Sequence, residues 1–183
     1  MVVVAISGVG GTGKTSVAGL LAKKLKWRLV RLNDLAERTD AYIGYDERRK
    51  SKIVSVAKLK REMEKLGKTP GGKNKNLVIE GLYAHEFPAD FVIVLRCNPQ
   101  VLERRLRKKY KWETKIVENK EAEMINLVTE EALEFHQKEK NKKEKVFEID
   151  TTKKTVPGTV KIIEKILKNR GKSYRAGRIN WLE

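Results

Sequence analysis

A glycine-rich segment near the start of the chain has the composition of a phosphate-binding loop. Residues 8–15 read GVGGTGKT, which is the pattern G-x-x-x-x-G-K-T. Glycine lets the backbone turn and bring successive N–H groups close to an anion, and the helix that follows adds its positive dipole end. In this pattern Lys14 reaches the β- and γ-phosphates, and the hydroxyl of Thr15 binds Mg²⁺. The segment therefore predicts a site for a nucleoside triphosphate.

The residues on both sides of this loop strengthen the prediction. Residues 1–6 form a β-branched run of the buried-strand type, and the residues after the loop place leucine and valine at helical spacing. A strand, a glycine-rich loop and a helix in this order are the context that the motif requires. The alternative is an ordinary glycine-rich turn between a strand and a helix.

Transfer of a phosphoryl group also needs an acid near the metal. Glu80 directly follows a short buried strand predicted at residues 77–79. Ligands of open α/β sheets bind at the carboxyl ends of strands, so Glu80 is placed to order the metal's water shell or to orient the attacking group. The alternative is a carboxylate that caps the neighbouring turn.

Candidate cations for the moving phosphoryl group lie in the basic stretch before a long predicted helix at residues 114–140. They are Arg105, Arg107, Lys108 and Lys109. A lid that closes over the nucleotide needs such cations and excludes water. Since Tyr110 and Trp112 follow directly, the same stretch also fits a nucleic-acid patch with rings for stacking, or a solvated helix face.

A second substrate would bind between the second and third predicted strands. Residues 33–66 contain a helix predicted at 48–66, and Arg38, Arg48 and Arg49 are possible clamps for a phosphate. The two histidines, His85 and His136, have no metal-ligand partners at useful spacing and are interpreted as structural.

Strand and helix patterns alternate along the whole chain, which predicts one α/β domain with a five-stranded parallel sheet flanked by helices. The predicted strands are residues 1–6, 27–32, 77–79, 91–95 and 146–149, and Pro157 begins the last helix. The tail, residues 168–178, has five cations and no acid. Because Trp181 lies so near the end, we expect the tail to dock partly on the body.

The composition is strongly basic. Lysine and arginine number 41 against 24 acids, which gives a net charge of +17 and a field that attracts polyanions. Two explanations stay open: contact with nucleic acid or a ribonucleoprotein, and a charge-rich surface selected for heat stability. The single cysteine, Cys97, excludes an internal disulfide, and the chain has no signal peptide or membrane span, which predicts a cytoplasmic protein.

Several further segments together resemble one known family. Residues 94–96, 101–106 and 115–123 are similar to the pattern LR…VL..RL…K..EN..AE, and residues 44–47 and 177–181 also match. This pattern belongs to the adenylate kinase isoenzyme-six type family, which has archaeal members. The resemblance spans nearly the whole chain.

The resemblance implies a nucleoside-monophosphate-kinase-like P-loop fold. It implies a monophosphate-binding region at about 31–66, a lid at about 107–114 and a basic tail at 168–183 of a single domain. The implied activities are phosphoryl transfer from ATP to AMP, with Mg²⁺, and ATP hydrolysis. The implied partners are a platform protein of the small ribosomal subunit, near the 3′ end of its RNA, and that rRNA itself.

Carried over residue by residue, the family's site residues fall on positions already singled out. The nucleotide contacts are Gly11, Gly13, Lys14, Thr15 and Ser16, the metal ligand is Thr15, and the catalytic residues are Lys14, Glu80 and Lys109. Two positions depart from the family. Many members have histidine two residues after the acid, where this chain has Leu82, and the lid arginine is replaced by Lys109, which keeps the charge but loses the planar fork.

Three functions stay open. The first is an adenylate-kinase-type phosphotransferase that also acts in assembly of the small ribosomal subunit. The second, favoured by the charge of +17 and the basic tail, is a module that binds a ribosomal protein or RNA in its ATP state and has little kinase turnover. The third is phosphorylation of another small molecule, because the sequence does not specify the acceptor.

Overall fold

The protein is described by a computed structural model, which covers residues 1–48, 50–68, 76–137, 145–168 and 171–182. Its centre is a five-stranded sheet in which every neighbouring pair is parallel. In their order across the sheet, the strands are β2 (Arg28–Arg31), β5 (Leu77–Glu80), β1 (Val3–Ser7), β6 (Phe91–Arg96) and β7 (Val146–Asp150). The predicted sheet is therefore confirmed.

Helices cover both faces of the sheet. They are α1 (Lys14–Leu25), α2 (Leu32–Arg38), α3 (Val56–Lys68), α4 (Pro99–Arg107), α5 (Glu113–Met124), α6 (Leu127–Gln137) and α7 (Val156–Leu167). The central strand shows how its side chains are divided between the faces. Val4 and Ile6 pack with α1 and α7, whereas Ala5 packs with α2 to α6. Burial of both faces explains the almost purely hydrophobic strand sequences.

The sheet brings the loops that carry polar residues to one edge. β1 lies between β5 and β6, and in its register Ile6 is opposite Glu80. Because all five strands are parallel, the loop after β1, the acid at the end of β5 and the buried Arg96 at the end of β6 meet at the carboxyl edge.

The helix predicted at 48–66 is wrong in its first part. The chain there forms an antiparallel hairpin of β3 (Tyr42–Asp46) and β4 (Ser51–Val54), and α3 begins only after Ser55. The hydroxyl of Ser55 accepts a hydrogen bond from the Lys58 N–H at 3.2 Å, which caps the helix. Ser55 therefore marks the N-terminal end of α3.

The helix predicted at 114–140 is also divided. It breaks between α5 and α6, where Asn126 has a left-handed backbone with φ of +58°. Asparagine tolerates this conformation, and its side-chain oxygen accepts a hydrogen bond from Arg96. The break therefore serves a tertiary contact, and residues 138–140 of the prediction lie outside the described residues.

The segment after α7 returns to the sheet. Its 3₁₀ turn (Lys172–Tyr174) is followed by an antiparallel bridge between Arg175 and Phe147 of β7. The Ala176 N–H also donates to the Val146 carbonyl at 3.1 Å. The described part of the tail thus docks on the edge strand, as expected. Among the described helices, none has the length and apolar composition needed to cross a membrane.

Candidate active site

The glycine-rich loop connects the central strand to α1 and depends on glycine for its shape. Gly8 has φ of +133°, and a Cβ there would lie 2.4 Å from the Leu95 carbonyl oxygen. Gly13, with φ of +98°, is the N-cap of α1. Both positions have backbone conformations that other residues rarely adopt, so the loop favours glycine at these two positions.

Lys14 is the first residue of α1, directly after the loop. Its Nζ donates a hydrogen bond to the Val9 carbonyl at 2.8 Å, a bond that closes the loop on itself. The pKa of Lys14 is lowered to about 8, mainly by burial, with Glu80 and Glu123 opposing the shift and Lys109 adding to it. Lys109 is therefore close enough to Lys14 for the two positive charges to repel each other. Two cations that bind the same anion would be close in this way.

Thr15 and Glu80 form a pair of oxygen ligands beside Lys14. The Thr15 hydroxyl donates to Glu80 Oε1 at 3.2 Å, and Glu80 is only 7% exposed. A hydroxyl and a carboxylate are hard donors of the kind that Mg²⁺ prefers, and Mg²⁺ keeps several waters besides. The donor set therefore fits Mg²⁺, which the Thr15 hydroxyl would bind.

Two of the four candidate lid cations are held by protein groups. Arg105 donates to the carbonyls of Thr151 and Thr152 at 3.0 and 3.1 Å. Arg107 forms ion pairs with Glu103 and Glu113 on the exposed side of α4.

Lys108 and Lys109 differ from these arginines. Lys108 is exposed and lines a cavity together with Val101, Arg104 and Arg105. Lys109 is exposed, and its Nζ lies 5.3 Å from the ring centre of Tyr110. Lys109 is the candidate cation whose charge lowers the pKa of Lys14.

The proposed phosphate clamps are not assembled in this structure. Arg38 is exposed and donates to the carbonyl of Asp34 in its own helix, and Arg48 is exposed next to the β3–β4 hairpin. Arg49 lies outside the described residues.

One residue that contacts the loop was missed by the sequence reasoning. Asn119 of α5 accepts a hydrogen bond from the Gly10 N–H at 2.7 Å, and its amide donates to the Lys115 carbonyl. The Tyr110 hydroxyl lies close to the same glycine. Asn119 is part of the EN pair in the family pattern, which was the available signal, although the pattern assigned it no role.

A buried charge cluster behind the site was missed as well. Arg96 is only 1% exposed and binds Glu123 at 2.7 Å and Glu148 at 2.5 Å. The tail closes this cluster, because Trp181 Nε1 donates to Glu123 at 2.9 Å and three successive tail N–H groups donate to Glu148. Burial raises the pKa of Glu123, which Arg96 counteracts.

Both histidines are structural, as predicted. His85 is buried, and its Nδ1 lies 2.9 Å from the Ser7 hydroxyl, while His136 Nε2 is 2.9 Å from the His85 carbonyl. Burial lowers the pKa of His85 to about 4, so its ring is neutral at physiological pH.

A cavity of about 250 Å³ adjoins the loop. Gly11, Gly13, Val17, Arg105 and Thr151 are among the residues that line it. A parallel sheet of this strand order, with a glycine-rich loop between its central strand and α1, defines a nucleotide-binding P-loop protein with a kinase-type fold.

Comparison with known proteins agrees with this class of protein and narrows it to a family. Residues 4–126 match the family described as AAA domain. A shikimate kinase from Bacteroides thetaiotaomicron has a similar fold, with a TM-score of 0.51 and 19% identity over 91% of this chain and 98% of that one.

Two archaeal relatives are similar along their whole length. A protein of Methanosarcina acetivorans is 36% identical over 98% of this chain and 97% of its own. A protein of Pyrococcus furiosus is 38% identical over 98% of this chain and 91% of its own. Both carry the name "Putative adenylate kinase", and the chain belongs to this archaeal family.

Proposed function

We propose that the chain transfers the γ-phosphoryl group of ATP to AMP and forms two molecules of ADP. A phosphate oxygen of AMP attacks the γ-phosphorus, the bond to the β–γ bridging oxygen breaks, and ADP leaves with that oxygen. The observation that carries the proposal is the convergence of Lys14, Lys109 and the Thr15–Glu80 pair at one end of the P-loop. The names of the archaeal relatives support AMP as the acceptor.

Each residue has a part in this transfer. The loop N–H groups from Gly11 to Ser16 hold the phosphates at the N-terminus of α1. Lys14 exchanges its bond with the Val9 carbonyl for one with phosphate, and Lys109 stabilises the charge that spreads over the transferred group.

Glu80 acts on the groups that would surround the metal ion. Mg²⁺, when bound, neutralises charge on the β- and γ-phosphates. Glu80 orients the Thr15 hydroxyl and accepts hydrogen bonds from water around it. Since no covalent intermediate is needed, catalysis consists of positioning and electrostatics.

A coupled assay of ADP formation tests the proposal. With ATP and Mg²⁺ fixed, added AMP should stimulate ADP formation, and Lys14→Met should abolish the stimulation. A matched control is Lys23→Met, which removes an exposed lysine from the same helix and should leave the rate unchanged. Formation of ADP that does not respond to AMP would contradict the kinase activity and indicate an ATPase.

We also propose a role in maturation of the small ribosomal subunit, in which ATP hydrolysis controls the grip on a platform ribosomal protein or on rRNA. The net charge of +17 supports a polyanionic or ribonucleoprotein partner. Capture of small-subunit proteins by the purified chain should differ between ATP, ADP and no nucleotide. Binding that is independent of nucleotide, or no binding, would contradict this role.

A further inference from the structure

A second cavity lies beside the one that adjoins the P-loop. Its volume is about 270 Å³, and its lining residues are Val101, Arg104, Arg105 and Lys108. They lie on one side of α4 and its C-terminal end, at spacings of three and four residues. Arg105 also lines the first cavity, so one side chain borders both. We call this surface the basic groove.

The two sides of α4 differ in how their charges are paired. Among the described residues, no carboxylate forms an ion pair with Arg104, Arg105 or Lys108. On the opposite side of α4, Glu103 pairs with Arg107 at 2.8 Å and with Lys120 at 2.6 Å. Within the described part of the chain, one side of the helix therefore has cations paired with an acid, and the other side has cations without an ion pair.

Arg105 is held in place at the junction of the two cavities. Its guanidinium donates to the carbonyls of Thr151 and Thr152, which hold it in position but do not cancel its charge. Lys154, on the same loop before α7, adds a further cation at the first cavity. A cation that is already ordered loses little entropy when an anion binds.

The shape and chemistry of the basic groove favour a phosphodiester chain. The guanidinium fork matches phosphate oxygens, and a volume of about 270 Å³ accommodates one phosphate with its sugar. Val101 and the aliphatic stems of the arginines give the groove apolar surface, against which sugar or base can lie. Single strands bind proteins through such combinations of a positive groove and apolar contacts.

We propose that the basic groove binds a single-stranded polynucleotide through its backbone phosphates. This binding site specifies a partner for the assembly role proposed above, and of its lining residues only Arg105 also borders the cavity at the P-loop. Because Arg105 belongs to both cavities, ATP bound at the P-loop and the strand in the groove contact the same side chain.

Fluorescence anisotropy with the full chain tests this site. The probes are labelled oligouridine and oligothymidine of about 12 nucleotides. The test variant is Arg104→Gln with Lys108→Gln, which removes two cations four residues apart on α4. The matched control is Lys161→Gln with Lys165→Gln, which removes two exposed cations at the same spacing on α7.

The salt dependence gives the sharpest readout. Each phosphate contact of a single strand contributes about 0.7 to the slope of log affinity against log salt. The α4 double variant should reduce this slope by about 1.4 and weaken binding by at least about fivefold at 0.1 M salt. The α7 double variant should bind like the parent chain, and oligouridine that binds better than oligothymidine would identify RNA as the ligand.

Two results would overturn the proposal. Equal losses in both double variants would show that binding depends on net charge and not on the groove. Polyglutamate that competes as strongly as the oligonucleotide, with the same sensitivity to the α4 variant, would show that the groove takes acidic peptides. Phosphoryl transfer in the same variants is measured separately, so failure of the kinase proposal and failure of this one are distinguishable.

Discussion

The Ser7 hydroxyl lies 2.9 Å from His85 Nδ1, which joins the residue before the P-loop to the segment after Glu80. The same hydroxyl donates to the Leu82 carbonyl at 2.7 Å. The carboxyl ends of β1 and β5 are thus connected beneath the Thr15–Glu80 pair. The buried His85, three residues after Leu82, is thus bound through Ser7 to the same segment of backbone.

The neutral ring of His85 makes stability depend on pH. Its pKa is about 4 in the folded chain and 6.5 in the unfolded chain, so the unfolded state binds more protons between these values. The neutral ring of His85 contributes fully to the free energy of unfolding above pH 6.5, and this contribution is lost as the pH falls towards 4. Between pH 7 and pH 5, the free energy of unfolding of the parent chain should fall by about 2 kcal/mol more than that of His85→Gln.

Urea unfolding of both chains at the two pH values measures this difference. His136 is present in both chains and cancels in the comparison. An identical pH dependence in parent and variant would show that His85 is not held neutral.

The lowered pKa of Lys14 should make the affinity for ATP depend on pH. In the free chain the ammonium loses its proton above about pH 8, and bound phosphate restores the charged form. The Kd for ATP should therefore be constant below pH 8 and rise towards about tenfold per pH unit above it. Calorimetric titration between pH 7 and pH 9.5 measures the profile.

Lys14→Arg is the matched control for this profile, because a guanidinium stays charged over the whole range. Its Kd, whatever its absolute value, should not change with pH. If the Kd of Lys14→Arg for ATP rises as steeply with pH as that of the parent chain, another group causes the pH dependence.

Removal of the Glu80 charge should weaken the binding of Mg²⁺ and slow phosphoryl transfer. Glu80→Gln keeps the volume but weakens the acceptor for the Thr15 hydroxyl and for water. We expect the Mg²⁺ concentration for half-maximal ADP formation to rise by more than about tenfold, and kcat to fall by about a hundredfold. Glu130→Gln, an exposed acid on α6, should change neither quantity. An unchanged Mg²⁺ requirement in Glu80→Gln would exclude its role near the metal.

The buried charge of Arg96 should be essential for stability. Arg96→Met leaves Glu123 and Glu148 buried without their cation, which costs about 3–5 kcal/mol of unfolding free energy. Adding Glu123→Gln and Glu148→Gln to Arg96→Met should recover part of the loss, because the uncompensated carboxylates are removed. A triple variant that is less stable than Arg96→Met would show that hydrogen bonding and not charge controls this cluster.

Trp181→Phe tests the tail separately. It removes the Nε1–H donor to Glu123 but keeps an apolar ring near Arg96. We expect a smaller loss of about 1–2 kcal/mol, and faster proteolysis of the tail than in the parent chain. Equal rates of proteolysis would show that this hydrogen bond does not hold the tail.

The sequence by itself determined the sheet, the P-loop and the edge of the sheet at which Glu80 lies. Local pattern was sufficient, because five apolar runs alternate with helical patterns, and the glycines of residues 8–13 allow the positive φ angles that the loop requires. The position of Glu80 at the end of a buried strand was enough to place it at the same edge as the P-loop, since parallel strands end at a common edge. Its hydrogen bond with Thr15 is seen only in the tertiary structure.

Only the tertiary structure decided which charges are free and which are bound. Arg105, Arg107 and Arg96 look alike in sequence, yet the first is held by carbonyls, the second by surface acids and the third inside a buried cluster. Such partners lie up to about fifty residues away along the chain, and no local pattern encodes them. The break at Asn126 has the same origin, because a distant arginine selects a backbone conformation that helix propensity alone disfavours.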